Sequence, residues 1–285
     1  MKRAKMFAKC ALWVQLGMLA VGSGVAAAGP GAGLVPHRAI YDMELEAAAE
    51  QSGIAALSGL MVYDFSGSAC EGYSVSFRFV TEFIGVDGGS QVTDLRTSSH
   101  EGGQGESFQF LSKTFVDQKQ VEGTRGRARD DGEVKSVSLQ EPDERQFDID
   151  QSALFPTVHL RKIISAARDG ERFVAADVFD GSESGDKVYA TTTVIGALRQ
   201  GISDEELTQS EEGLAQLPDA SYWPVTIAYF DPANADGGEE FPVYQLSFLL
   251  YENGISRKMS LDYGDFVIKG SLRDLELYEE TSCSN

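Results

Sequence analysis

The chain has only three cysteines, three histidines and two tryptophans in 285 residues, and 24 basic side chains face 44 acidic ones. Each shortage excludes something. No cysteine or histidine has a second ligand at metal spacing, so no metal is expected. A formal charge of −20 argues against nucleic acid and against tight adsorption to anionic lipid, both of which demand cationic surface. No G-x-S-x-G elbow occurs, and "DGSESGDK" puts Glu183 where the serine would stand. H-E-x-x-H, P-loop and dinucleotide signatures are missing too. "PANADGGEE" fails as a calcium loop, because setting Gly237 at the invariant glycine leaves Pro232 at position one and Val243 at position twelve. No Pro- or Ser-rich linker, repeat or low-complexity tract marks a domain boundary. No catalytic residue can be named from these patterns, although triads assemble from distant positions.

One apolar run is present, at the N-terminus. Lys2, Arg3, Lys5 and Lys9 precede an apolar stretch from Cys10 to Ala20, and the segment closes on Ala26-Ala27-Ala28. This is the layout of a secretory signal, and cleavage is expected near Ala28, giving residues 1–28 as leader and 29–285 as one domain. Gln15 and several glycines interrupt the run, which falls short of the ~20 residues of a spanning helix; a permanent anchor is the alternative. Losing four leader cations takes the charge from −20 to −24. Export points to an oxidising compartment, the bacterial periplasm. Cys10 leaves with the signal, so Cys70 and Cys283 remain, most simply as one disulfide. It would close a loop of more than 200 residues and contribute roughly 5 kcal/mol on the chain-entropy model. Intermolecular pairing or a free reactive thiol are the alternatives.

The dominant pattern is alternation with period two. "YSVSFRFV" sends Val75, Phe77 and Phe79 to one face and Ser74, Ser76 and Arg78 to the other. "EVKSVSL", "KVYATTTVIG", "PVTIAYF", "PVYQLSFLLY" and "DFVIKGSLRDLELY" behave alike and are rich in β-branched and aromatic residues. Turn signals separate them: "VDGGSQ", "RDDGEV" and "YENGISRK". Asn253-Gly254 predicts a two-residue type I′ hairpin between strands near Tyr244–Tyr251 and Ile255–Leu261. About 12–14 short strands are expected, hence an all-β domain. "FPTVHLRKIISAARDGERF" breaks the pattern. Pro156 suits a first helical turn, Gly170 a position just past the end, and Leu160, Ile163, Ile164 and Ala167 form an apolar stripe opposite Arg161, Lys162 and Arg168. This predicts one amphipathic helix lying across or plugging a curved sheet. The acidic stretch "SDEELTQSEEGLAQLP" is expected to be an exposed loop or single turn.

Of the three histidines, His159 stands nearest the helix's apolar stripe, where it would be a base or ligand at a cavity mouth, or simply a half-buried imidazole bonded to a carbonyl. His100 sits in the glycine-rich "SSHEGGQGES", expected to be flexible, and His37 precedes the first strand, where packing or capping is expected.

Six ordered stretches together resemble the EipB family, the cell envelope integrity proteins of alphaproteobacteria: "LVPHRAIYDMEL", "CEGYSVSFRF", "LFPTVHLRKIISAARDGERF", "FDGSESGDKVYATTTVIG", "YWPVTIAYF" and "YENGISRKMSLDYGDFVIKGSL". The resemblance runs from Leu34 to Cys283. It implies a periplasmic, monomeric β-spiral, an open barrel-like sheet of about fourteen strands with one helix, with Cys70 and Cys283 joined. It implies a role in envelope maintenance under stress, with a periplasmic tetratricopeptide-repeat protein as partner, and it carries no catalytic residue or cofactor. Three readings follow: a non-enzymatic protein acting through protein partners; a carrier of lipid or lipoprotein acyl chains, with Phe77, Phe79, Phe248 and His159 about its cavity; and an enzyme on envelope polymers built on His159 and Asp180. The ordinary account of the phenylalanines is a filled core.

Overall fold

A computed structural model of the protein describes residues 33–201, 217, 220–234 and 241–279. The expected leader, most of the acidic 201–220 stretch and Cys283 lie outside the described residues. Within them there are fifteen strands, all antiparallel in a single sheet, and one α-helix. The strands exceed the expected 12–14 because one of them is only two residues long. No described helix is long and apolar enough to cross a membrane.

The strand order shows how the sheet is wound. The first eight strands form a meander: β1 (His37–Ala48), β2 (Ile54–Ser68), β3 (Gly72–Gly85), β4 (Ser90–Glu101), β5 (Ser107–Val116), β6 (Lys119–Asp130), β7 (Lys135–Glu141) and β8 (Arg145–Ile149). Helix α1 (Pro156–Arg168) then carries the chain to the opposite edge. From there β9 (Phe173–Val178), β10 (Tyr189–Ile195), β12 (Ser221–Phe230), β13 (Tyr244–Tyr251), β14 (Ser256–Asp262) and β15 (Phe266–Leu277) meander back, and β15 pairs with β1; the short β11 (Arg199–Gln200) flanks β12. The first and last strands are therefore neighbours in mid-sheet, and β8 and β9 are the edges.

The sheet curls until these edges come near each other without closing. Leu154, between β8 and α1, forms a single parallel bridge to Val178. Arg145 at the β8 edge pairs with Asp186 at 2.8 Å, and the hydroxyl of Thr124 in β6 donates to the carbonyl of Glu183. Phe179 packs edge-on against Phe108 and Phe110 of β5, at 6.3 and 5.6 Å between ring centroids. Gly181 permits this closeness: its φ is +70°, and a Cβ there would lie 2.4 Å from the Phe110 ring.

Alternation sets the two faces. In β1, His37, Ala39, Tyr41 and Met43 are buried while Arg38, Asp42 and Glu44 are exposed and Ile40 lies at intermediate depth. A bulge in β15 opposite Ile40/Tyr41 resets parity, so that Leu272 and Leu275, three apart, both face inward. Helix α1 lays Ile163, Ile164, Ala166 and Ala167 on Val174, Ile195, Trp223, Val225 and Leu250. Its termini are as the sequence indicates: Pro156 opens it, and Gly170, at φ +79°, donates back to the Ala167 carbonyl. The predicted hairpin joins β13 to β14, but not as a type I′ turn. Only Gly254 has positive φ; Gly254 N–H donates to Tyr251 O at 3.0 Å and Tyr251 N–H to Ile255 O at 2.9 Å. This three-residue loop, a turn followed by one left-handed glycine, relieves Asn253 of the left-handed conformation.

Candidate functional site

Beneath the β13–β14 hairpin lies an apolar cavity of about 290 Å³, walled by residues from β1, β2, β3, β13, β14 and α1. Tyr41, Met61, Tyr63, Phe77, Leu160, Leu246, Phe248, Met259 and Leu261 line it, with His37, Gly254 and Ser256 completing a wall that is mostly apolar. The volume stands at the lower end of the ~300–1,000 Å³ typical of small-ligand sites. Five strands and the helix position this wall because their inward residues share one period-two register, in which Met61 opposes Phe79, Tyr63 opposes Phe77, and Leu246 opposes Leu261.

The polar groups are fixed in place. Tyr41 Oη donates to the Ser256 carbonyl at 2.7 Å, and His37 Nδ1 sits 2.7 Å from the Val35 carbonyl. The His37 ring lies against Tyr63 and Phe65, and the run continues to Tyr73. Burial lowers the pKa of His37, opposed by its bond to Val35. Burial also drives the Tyr63 phenol far above its ordinary value, although its ring is partly exposed toward the cavity. A group desolvated yet accessible marks a concave wall, and at neutral pH the wall carries no charge.

Phe77 and Phe248 are thus part of the cavity wall. Phe79 is not among its lining residues; it packs 6.4 Å from Phe77 against the β1–β2–β15 core. His159 does not reach the cavity either. It is buried on the other side of α1, with Nε2 3.4 Å from the Thr191 hydroxyl, and burial with the nearby Lys162 charge lowers its pKa to about 4. Helical geometry gives the reason: Leu160, one residue on, turns about 100° and takes the cavity-facing position. Asp180 does not join His159; its carboxylate accepts from Ser182 N–H at 2.9 Å, and burial raises its pKa. The pair is not assembled as an acid–base site. Among the described residues no three metal-ligating side chains cluster. His100 lies in β4 rather than in a flexible loop, its Nδ1 3.0 Å from the Ser74 hydroxyl.

Sequence reasoning missed Glu101, which holds the helix over the cavity. Phe155 offers α1 no side-chain cap, and Pro156 has no N–H. The next two donors, Thr157 and Val158 N–H, both bond the Glu101 carboxylate from the end of β4, at 2.7 and 2.9 Å. Burial pushes the Glu101 pKa up, against these bonds and the Arg161 charge. Arg161 itself donates to the Gly103 carbonyl at 3.0 Å, a second tie to the same turn.

An open, barrel-like antiparallel sheet with a helix strapped across its concave side and an apolar cavity beneath defines a class of β-shell. Comparison with known proteins makes the class specific. A family model described as EipB-like matches residues 28–279, and the chain belongs to that family. It is 42% identical over 266 residues, 92% of each chain, to the cell envelope integrity protein EipB of Brucella abortus. It also superposes with a TM-score of 0.79 at 42% identity on a crystal structure from the same organism, described as a β-barrel-like protein of a domain of unknown function; the match covers 87% of this chain and all of that one.

Proposed function

We propose that the chain is an exported, non-enzymatic periplasmic protein, monomeric, that maintains cell envelope integrity under stress by engaging protein partners, a periplasmic tetratricopeptide-repeat protein among them. The observation that carries this reading is the 42% identity over 92% of both chains to a protein named for cell envelope integrity. The cavity's apolar lining, with no carboxylate among its described residues, favours binding over chemistry. In-cell photo-crosslinking from exposed positions of the exported chain tests it. A discrete tetratricopeptide-repeat adduct is the expected product, and none at normal expression overturns the partner reading.

The cavity favours a second reading, in which it receives an acyl chain of a lipid or lipoprotein. Native mass spectrometry of the purified protein and displacement of a fluorescent fatty acid decide this. Binding that disappears in Met61→Trp and Leu261→Trp, whose bulk fills the space, supports it; no co-purified lipid and no displacement dismiss it.

The shell is proposed to be clasped by a Cys70–Cys283 disulfide. Its geometric support is register. Strands β15 and β2 flank β1 and run in the same direction, with Leu277 and Phe65 both opposite His37. Cys70 stands five residues beyond Phe65, and Cys283 six beyond Leu277. Tyr278 continues the path, its N–H donating to Pro36 O at 2.9 Å and its Oη to Asp64 at 2.8 Å.

A further inference from the structure

The protein's −20 charge is not spread evenly. On the outer face of β3–β6, Arg78, Arg96, Lys113, Arg125, Arg127 and Arg129 gather within a few strand spacings. Arg78 stands opposite Arg96, Arg96 opposite Lys113, and the β6 arginines lie two residues apart with Gly126 and Ala128 buried between them. Asp94 lies among them and serves Arg78 and Arg96 together, at 2.9 and 2.6 Å, so one carboxylate neutralises half of that pair; the two arginines hold its pKa at about 2.

Arg125, Arg127 and Arg129 differ from that pair. All three are exposed, and among the described residues none makes an ion pair or side-chain hydrogen bond. Glu141 stands opposite Arg125 in register without pairing with it. Beyond Arg129, Asp130 is held by Lys135 and Gln151, and Asp131 by Ser136. Glu141 apart, the partners of the arginines across the strands are uncharged: Ser107, Gln109 and Leu111 on β5, Ser136 and Ser138 on β7. Small neighbours leave a trough beside the row. One stretch of about 460 Å³ includes Arg125 and Arg127 and no carboxylate; an adjoining one of about 430 Å³ includes Arg127 and Arg129 together with Glu106, Asp130 and Asp131, so the Arg125–Arg127 stretch is the more basic part of the trough.

We propose that this arginine row is a docking track for an acidic segment of a partner protein, bound in extended conformation along β6 with alternate carboxylates on successive arginines. The spacing carries the choice of ligand. Arginines two apart on a strand repeat every ~6.6–6.8 Å, which is the repeat of alternate side chains in an extended peptide and suits guanidinium–carboxylate pairing. An anionic membrane fits less well: an extended negative plane laid on the row also faces the exposed acids that border it, Glu106 and Asp131 among them, whereas a narrow strand can follow the row alone. The inference rests on the partner-binding reading above and adds the surface and the partner's chemistry.

The test is an NMR titration of the oxidised mature chain, at low salt, with a short peptide of alternating glutamate and threonine. Amide shifts should concentrate in β5, β6 and β7, weaken with added salt, and require at least about tenfold more peptide in R125Q/R127Q/R129Q. R125K/R127K/R129K, which keeps the charge, should retain most of the binding. No shifts, or equal shifts in the glutamine variant, overturn the proposal. So does binding of phosphatidylglycerol vesicles without peptide binding. A partner cross-linked equally well by wild type and the glutamine variant leaves the partner reading standing and removes this surface from it.

Discussion

Replacing Glu101 tests whether the helix strap is anchored by a carboxylate from β4. Glu101→Ala removes both bonds at the α1 N-terminus and leaves Thr157 and Val158 N–H groups without partners. An unsatisfied buried donor costs about 1–3 kcal/mol, and relief of a buried carboxylate offsets part of the total, so a loss of about 2–4 kcal/mol is expected. For a domain of this size each kcal/mol moves Tm by about 2–4 °C, which puts the variant roughly 5–15 °C below wild type. Glu101→Gln keeps one acceptor and points an amide N–H₂ at the second donor, so it should fall between. The pH dependence has a fixed sign. Burial raises the Glu101 pKa in the fold, so its stabilisation is full below the unfolded carboxylate value and declines as pH rises through the folded one. The gap between wild type and Glu101→Gln should therefore narrow from pH 4 to 7. Calorimetry of residues 29–285 reads both effects. A Glu101→Ala Tm within about 1 °C of wild type refutes the anchoring argument.

His159 has its pKa lowered to about 4 by burial and Lys162, so the unfolded chain takes up its proton first as pH falls from 6.5. Stability should drop by about 2–3 kcal/mol between pH 6.5 and 4, and His159→Gln should flatten that slope in urea titrations; an unchanged slope contradicts the placement. Phe248→Ala enlarges the cavity at a buried position and should cost about 3–5 kcal/mol by chemical denaturation, whereas a ring of no packing consequence would cost under about 1. Cys70→Ser should cost about 2–5 kcal/mol, and thiol titration of unreduced, denatured wild type should find no free sulfhydryl; two would abolish the proposed clasp.

Much of this architecture is legible in single stretches of sequence. Alternation in "YSVSFRFV" and "PVYQLSFLLY" is a local consequence of strand geometry, and Pro156 and Gly170 bracket a helix because each has only a few backbone conformations to offer. The residues that bind one element to another are not local. Glu101 is one acid among 44 until the fold brings it beneath a helix 55 residues later. His159 and Leu160 are adjacent, and only the docking angle of α1 decides that Leu160 meets the cavity and His159 meets Thr191. The hairpin at Asn253-Gly254 shows the same limit: the pair marks the turn, but the pairing of Tyr251 with Ile255 decides which residue goes left-handed. "TRGRARD" carried a signal that composition hides, since alternate arginines on one strand make a basic row in an acidic chain.

The proposed role in envelope integrity is tested most directly by growth of a deletion strain on deoxycholate. The account predicts hypersensitivity, restored by the full-length chain and not by residues 29–285 expressed without an export signal. Growth of the deletion strain equal to its parent, or rescue by the unexported form, would contradict it.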